Sequence, residues 1–504
     1  MKHLSKLLAL LLVLAVTLTC TSIALGDDLP VITMLISCDS AIPAEDAPVP
    51  MEIARQAGVE LHVNFVAQAD HESKLNAYIA SGELPDIFRA SDSLVTELVS
   101  YGAILDLRPL LEQYGEHILA DGEAKYSFGV NKNGSIYALP GRMSYPWAMA
   151  VRRDWMRNLG YEVGDESVIE MDIEAFKQLM VDFAQKDPDQ DGVADTFGIT
   201  AEDGSIGMFT PIFAAYGIPA QSWASMYYDE EAGQCYSILQ HPRFVEAMET
   251  FRYLYQNGGM DREFAAVSDA STEFSFLWNS TAGAAAWSPA GMTNNWVPRY
   301  TEEGVDENSF VYVNITDVDG TGGGYYIGYT GWLCVSAAAK YPEACVKLID
   351  FLYTKEGGTL AYLGIEGVHY QWIDKENEKF EYIGKAKEDI TNQRTDGGWI
   401  IWQQIQGDDN FELRTLTQIT VDVINFAKAH QFTNLAIIRN SLPEINKEIG
   451  SNRTDIIMRA FANMVVAEGD LEPLYESFLA EYEAIGGNIY NEQFTEIYKA
   501  ETGI

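Results

Sequence analysis

The chain has 504 residues, with 33 Lys and Arg against 74 Asp and Glu, and a formal charge of −41. Such a surface repels phosphate backbones and anionic lipid headgroups, which argues against a nucleic-acid partner or a basic membrane-surface role. A composition that is 47% hydrophobic and 12% aromatic can repay the entropy of ordering. At ~100–200 residues per domain it predicts several packed units, and it lacks the collagen period, heptads or dense cysteines of fibrous and disulfide-stapled classes.

The N-terminus reads as an address. Lys2 and Lys6 precede the apolar stretch Leu7 to Leu18, and Ala24-Leu25-Gly26 puts small residues at −3 and −1 before Asp27. That pattern predicts a signal peptide over 1–26 and an exported chain. The apolar stretch is short for a span, which needs ~20 residues; an uncleaved anchor is the alternative. Lipidation at Cys20 is another, although Thr17-Leu18-Thr19 matches the lipoprotein pattern poorly. Cys38, Cys235, Cys334 and Cys345 remain after cleavage, with no CxxC pair or Cys/His cluster to support zinc or redox chemistry.

Along the chain, Val31–Cys38 reads as a buried strand, 52–57 as a helix and 59–65 as an alternating strand. Residues 73–80 have helical spacing, and Gly82-Glu83-Leu84-Pro85-Asp86-Ile87 turns into a strand. Residues 172–186 form an amphipathic helix with Ile173, Phe176, Leu179, Met180 and Phe183 on one face, and Phe244–Gln256 is another. A buried strand is expected at 331–336 and a helix at 342–353, opening on Pro342. From about 415 onward the pattern is mostly helical. Alternating strands and helices argue for α/β layers. The absence of a low-complexity linker suggests two lobes between which the chain passes more than once.

Several stretches together resemble the extracellular solute-binding proteins of ABC importers, in their long sugar-oligomer-binding group (family 1). Gly82-Glu83-Leu84-Pro85-Asp86-Ile87 resembles the G-x-L-P-D-I strand entry. Tyr137-Ala138-Leu139-Pro140, Arg152-Arg153-Asp154-Trp155 and Leu159-Gly160 are similar to a following segment of that group. So are Phe213 to Pro219, Leu254 to Gly258 with Glu263-Phe264, Tyr341 to Tyr353, and Gly364 to Tyr370. Gly486-Gly487, Tyr490, Gln493-Phe494 and Tyr498 resemble its helical C-terminal signature. The resemblance implies a two-lobe α/β fold of the periplasmic-binding-protein type, with a multi-pass hinge, a ligand cleft and a helical C-terminus. It puts lobe one at 27–150 plus 326–390 and lobe two at 151–325 plus 391–504.

Asp187, Asp189, Asp191 and Asp195, with Gly192 at the sixth position, match the start of an EF-hand loop, where Val193 would offer its carbonyl. Hard cations need several converging oxygens at ~2.3–2.6 Å. The usual twelfth-position Glu is replaced by Gly198, and the following residues read as a strand. The resembling group carries a similar calcium loop, often with an acid where this chain has Thr196. Structural Ca2+ is therefore expected; a solvated acidic turn is the alternative.

Sugar rings stack on aromatic faces while their hydroxyls need polar partners. Tyr145, Trp147, Trp287, Trp332 and Trp399 are the aromatic candidates, with Trp402 nearby in sequence. Packing is the ordinary fate of any of them. Arg89 and Asp92 follow the Pro85-Asp86-Ile87 strand, whose end faces the cleft in the resembling family. Arg142 is a further candidate for a ligand carboxylate. Glu366, His369 and Tyr370 lie in a Gly-rich turn. Gly320 to Gly324 lacks the Lys-Ser/Thr of a phosphate loop and reads as a flexible segment near a lobe crossing.

The expectation is a non-catalytic, monomeric binder that carries an oligosaccharide, neutral by preference, to a membrane permease. A secreted glycoside hydrolase, needing only two suitably spaced carboxylates, and a peptide-binding surface protein are the alternatives.

Overall fold

The computed structural model describes residues 29–38, 42–120, 134–141, 143–200, 206–264, 275–277, 279–292, 307–329, 331–405, 416–438 and 442–504. The leader, Cys20 and Arg142 lie outside them. Among the described residues no helix is long and apolar enough to cross a membrane.

Two five-stranded sheets organise the chain. The first runs β2-β1-β3-β14-β4, from β1 (Val31–Cys38), β2 (Glu60–Ala67), β3 (Ile87–Ala90), β4 (Leu139–Pro140) and β14 (Trp332–Val335). Strands β2, β1 and β3 are parallel, while β14 is antiparallel to both β3 and β4. Thr33 fixes this register: its N–H and hydroxyl each reach Asp86 Oδ2 at 2.8 Å. Ile32, Ile36, Ile87, Leu333 and Val335 face one apolar layer, and Leu35, Phe88, Ala90, Trp332 and Cys334 face the other. Helices cover both faces, the arrangement that buries a largely parallel sheet.

The second sheet runs β7-β12-β6-β11-β8, from β6 (Ala148–Arg152), β7 (Val168–Asp172), β8 (Phe197–Ile199), β11 (Ala282–Trp287) and β12 (Phe310–Thr316). Only β6 opposes the others. Along β12, Val311, Val313 and Ile315 enter the large core while Phe310 and Tyr312 enter the opposite layer. The amphipathic helix Ile173–Gln185 packs into that large core, started by Asp172, whose carboxylate accepts from the Ala175 N–H at 2.8 Å. The C-terminal helices Asn446–Val466, Glu472–Ala484 and Gly487–Thr502 close this half.

The chain leaves the first sheet after β4 and enters the second at β6, through residues 141–147; it returns from β12 to β14 through 317–331. These two passages pair with each other as a short antiparallel ribbon, β5 (Met143–Ser144) with β13 (Gly328–Tyr329). Within the Gly320 to Gly324 run, expected to be a flexible segment, Gly320 has nothing within 4 Å of its Cβ position, but the later glycines have close neighbours. The Gly323 N–H donates to the Ala214 carbonyl at 2.8 Å, and Gly322 to Gly324 pack against Ala214, Ala215, Asn314 and Phe432.

The expected crossing at 390/391 falls inside a stretch that stays with the first core. Ile400, Ile401, Trp402 and Ile405 are buried there, and the Ser37 hydroxyl contacts Gln404 Oε1 at 3.4 Å. The first helix begins at Pro48 rather than at residue 52, because a proline in the first turn surrenders an N–H the helix does not use. Cys38, Cys235, Cys334 and Cys345 are all buried thiols.

Candidate ligand cleft and acidic loop

Both ends of the hinge ribbon meet the carboxyl edges of the sheets, where open α/β sheets hold their ligands. In the second sheet Trp287 ends β11 and lies opposite Ala148, the first residue of β6. That register brings Trp147 beside it, and the two half-buried indoles meet edge to face with centroids 4.7 Å apart at 82°. The Trp147 ring rests against Gly207, in the short helix Ile206–Phe209.

At the carboxyl edge of the first sheet, His71, Leu75, Arg89, Ala90, Ser91 and Leu94, with Glu72 and Gly331, line a cavity of about 350 Å³. Arg89 projects from the end of β3, and burial lowers its pKa. The helix Gln68–Ser81 supplies His71 and Leu75, one turn apart, from the connection that follows β2. His71 was not among the sequence candidates; its spacing to the buried Leu75 was the available signal. Asp92 begins the helix Asp92–Ser100, next to Ser91.

The other aromatics pack in the apolar cores. Tyr145 is buried with Ala290 and Ile424, and Trp332 is part of the core between the first sheet and its helices. Trp399 packs, partly buried, against the apolar layer on the other face of that sheet, with the Arg394 guanidinium 4.2 Å over its ring. Trp402 is fully buried against Tyr362. His369 is buried, accepting from the Ile365 N–H at 2.8 Å through Nδ1 and facing Asp396 at 3.1 Å through Nε2. Tyr370 is buried in the hairpin of β15 (Tyr370–Asp374) and β16 (Lys379–Tyr382), and Glu366 is exposed, 3.6 Å from Lys375.

In the acidic loop, carboxylate oxygens of Asp187, Asp189 and Asp191 lie within 4.8 Å of one another. Asp187 and Gln190 take positive φ of 50° and 63°, which curls the loop inward. Asp187 Oδ1 and Asp189 Oδ1 are buried without a hydrogen-bond partner. Burial, the neighbouring Asp187 carboxyl and the charge of Asp191 push the Asp189 carboxyl up. Oxygen donors crowded and unsatisfied in this way fit a hard cation. Asp195 and Val193 are exposed and lie outside the three-carboxylate cluster. The missing twelfth ligand has a packing cause: a Cβ on Gly198 would come within 2.2 Å of the Gly259 carbonyl oxygen and 2.8 Å of Met180. Thr196 is likewise committed, donating to the Phe183 carbonyl at 2.6 Å.

A family model described as bacterial extracellular solute-binding protein matches residues 52–368. Lipoprotein LipO of Bacillus subtilis is 21% identical over 500 residues, spanning 94% of this chain and 93% of that protein. The polygalacturonan/rhamnogalacturonan-binding protein YtcQ of the same species is 24% identical over 336 residues, 63% of this chain and 62% of that one. An HMO-binding, ABC-transporter-associated solute-binding protein from Bifidobacterium longum infantis superposes with a TM-score of 0.72 at 14% identity, covering 94% of this chain and 99% of its own. The S. pneumoniae ABC-transporter substrate-binding protein FusA, as an EF-hand mutant with fructo-nystose, gives 0.64 at 16% identity, covering 94% and 99%. At such identities the structural matches establish the two-lobe fold. The family model spans more than half of the sequence, and the chain belongs to the bacterial extracellular solute-binding proteins.

Proposed function

We propose that this chain is the exported capture component of an ABC importer, which closes its two lobes on an oligosaccharide and presents the closed form to a membrane permease. The observation that carries this reading is the paired ribbon of β5 and β13, which ties together two sheet edges, one bearing the Trp147–Trp287 pair and the other the Arg89 cavity. A ligand touching both edges binds the closed state more tightly, and that difference in affinity is what shifts the equilibrium. Lobe one would comprise the N-terminal part to about residue 141 plus 332–405, and lobe two 148–316 plus 416–504. The polygalacturonan and fructo-nystose ligands of the relatives support a glycan as cargo.

In this reading Asp187, Asp189 and Asp191 hold a structural Ca2+, with Asp195 and the Val193 carbonyl completing the shell once the loop tightens. The ion's charge would offset carboxylate repulsion and tie the end of the helix Ile173–Gln185 to β8. Cleavage after Gly26, or lipidation at Cys20 as in a lipoprotein relative, would deliver the protein outside the membrane as a monomer.

A melting screen of the purified protein against neutral and acidic oligosaccharides tests the reading. A ligand at ~100 times its dissociation constant adds ~2.7 kcal/mol, and for lobes of ~200–250 residues each kcal/mol raises the transition by roughly 2–4 °C. A lasting shift without product marks a binder. A shift that decays as shorter sugars accumulate marks a hydrolase, and no shift with any glycan withdraws the carbohydrate reading.

A further inference from the structure

Among the described residues, the cavity at the carboxyl edge of the first sheet holds a cation without a counter-ion. Among the described residues the Arg89 guanidinium makes no hydrogen bond and no ion pair. His71 Nε2, on the same wall, is buried and has no hydrogen-bond partner. Glu72 lines the exposed rim and forms no ion pair with Arg89. Two polar groups left unsatisfied in one cavity carry a desolvation cost that a fold does not need for its own packing. Two buried arginines at the second sheet differ in this respect. Arg153 donates to the carbonyls of Phe310 and Glu166, and Arg152 pairs with Asp154.

We propose that Arg89 and His71 form a subsite for the carboxylate of an acidic sugar residue, which makes the cargo a uronate-containing oligosaccharide. The proposal rests on the oligosaccharide-binder reading and narrows its ligand. A guanidinium presents a planar fork of donors that matches a carboxylate bidentately, and it is less strongly hydrated than an ammonium. Burial and the adjacent Arg89 charge lower the His71 pKa to about 4, so at neutral pH its ring is an uncharged donor to the same ligand group. The net charge of −41 opposes an anion only at range, since screening at physiological salt acts over ~8 Å. Within the cavity the local cation prevails. The sequence-based preference for a neutral cargo weighed the total charge and had no means of locating this unpaired one.

The test is calorimetric titration of the purified protein with uronate oligomers (galacturonate, glucuronate and mannuronate) and with their carboxyl-reduced neutral counterparts of identical linkage. Neutral xylo- and fructo-oligosaccharides complete the series. We expect one uronate family to bind and its reduced counterpart to bind at least tenfold more weakly. Arg89→Gln should shrink that gap to within about twofold without lowering the melting temperature of the unliganded protein. Equal binding of the acid and its reduced form by the unmodified protein overturns the proposal, as does a gap that survives Arg89→Gln in a folded variant. Binding of neutral oligosaccharides alone overturns it too, and in all three cases the binder reading stands. Failure to bind any glycan removes that reading and the subsite together. Because the acid-versus-reduced comparison needs no mutant, misfolding of Arg89→Gln cannot shelter the proposal.

Discussion

Trp147 and Trp287 touch because of strand register: Trp287 is held opposite Ala148 across β11 and β6, so the residue before Ala148 meets it edge to face at 4.7 Å. Edge-to-face pairs contribute ~0.5–1.5 kcal/mol beyond area burial, so each ring holds the other in position, and in the proposed reading the pair meets a sugar face. We expect Trp147→Ala to weaken oligosaccharide binding at least tenfold with a small change in melting. Trp287→Ala should weaken binding similarly but also lower stability by ~1–3 kcal/mol, because Trp287 packs against both apolar layers of its sheet. Unchanged affinity in both variants, measured by calorimetry, would take these rings out of the ligand site.

Calcium removal gives a second expectation. The buried, unpartnered oxygens of Asp187 and Asp189 would be left facing each other, so chelation should lower the melting temperature. An ion at ~100 times its dissociation constant stabilises by ~2.7 kcal/mol. Asp189→Asn should abolish the calcium dependence while sugar affinity, measured at saturating protein stability, stays within about threefold. A melting curve unmoved by chelation, with no calcium found by elemental analysis, would reduce the loop to an acidic turn.

What was legible in the sequence was periodicity. The strand Val31–Cys38 and the helix Phe244–Gln256 fall where expected, since each has one clear apolar pattern and sharp ends. The central strands β6 and β11 carry no such signal: AMAVR and AGAAAW are buried on both faces, and a short alanine-rich run does not distinguish strand from helix. Trp147 and Trp287 could each be named from composition, but their contact depends on pairing between residues far apart in the chain. His71 was hidden because its helix looks solvated, with Leu75 as its one buried residue. The glycine run read as flexible because sequence reveals φ freedom and not the neighbours that use it.

Acid sensitivity should arise at the foot of the acidic loop. Burial pushes the Asp182 carboxyl up, but hydrogen bonds from Lys186 at 2.6 Å, Tyr161 at 2.7 Å and Gln178 at 2.7 Å outweigh it, and its pKa is lowered overall. A depressed folded pKa contributes stability above the unfolded value of ~3.9, lost as pH falls through the folded value. The protein should therefore lose stability below pH ~4. Asp182→Asn should cost ~1–3 kcal/mol at pH 7 and show a shallower loss between pH 4 and 3, read from denaturant midpoints. A variant as stable as the parent at pH 7, with the same acid slope, would show that the network contributes nothing.

The return passage offers the last expectation. Gly323 has a φ of +71°, and a Cβ there would meet Asn314 Oδ1 at 2.8 Å, the residue whose amide reaches Glu170 at 3.2 Å. Gly320 has a similar φ of +78° but nothing within 4 Å. Alanine at Gly320 should cost only the left-handed penalty, ~1 kcal/mol. Alanine at Gly323 must also displace Asn314, so it should cost ~2–3 kcal/mol and disturb the passage from β12 to β14. Comparing the two by denaturant unfolding separates backbone conformation from contact. Equal losses would assign the whole effect to φ and leave the packing of the passage without energetic weight, whereas a larger loss at Gly323 makes this segment a fitted part of the hinge.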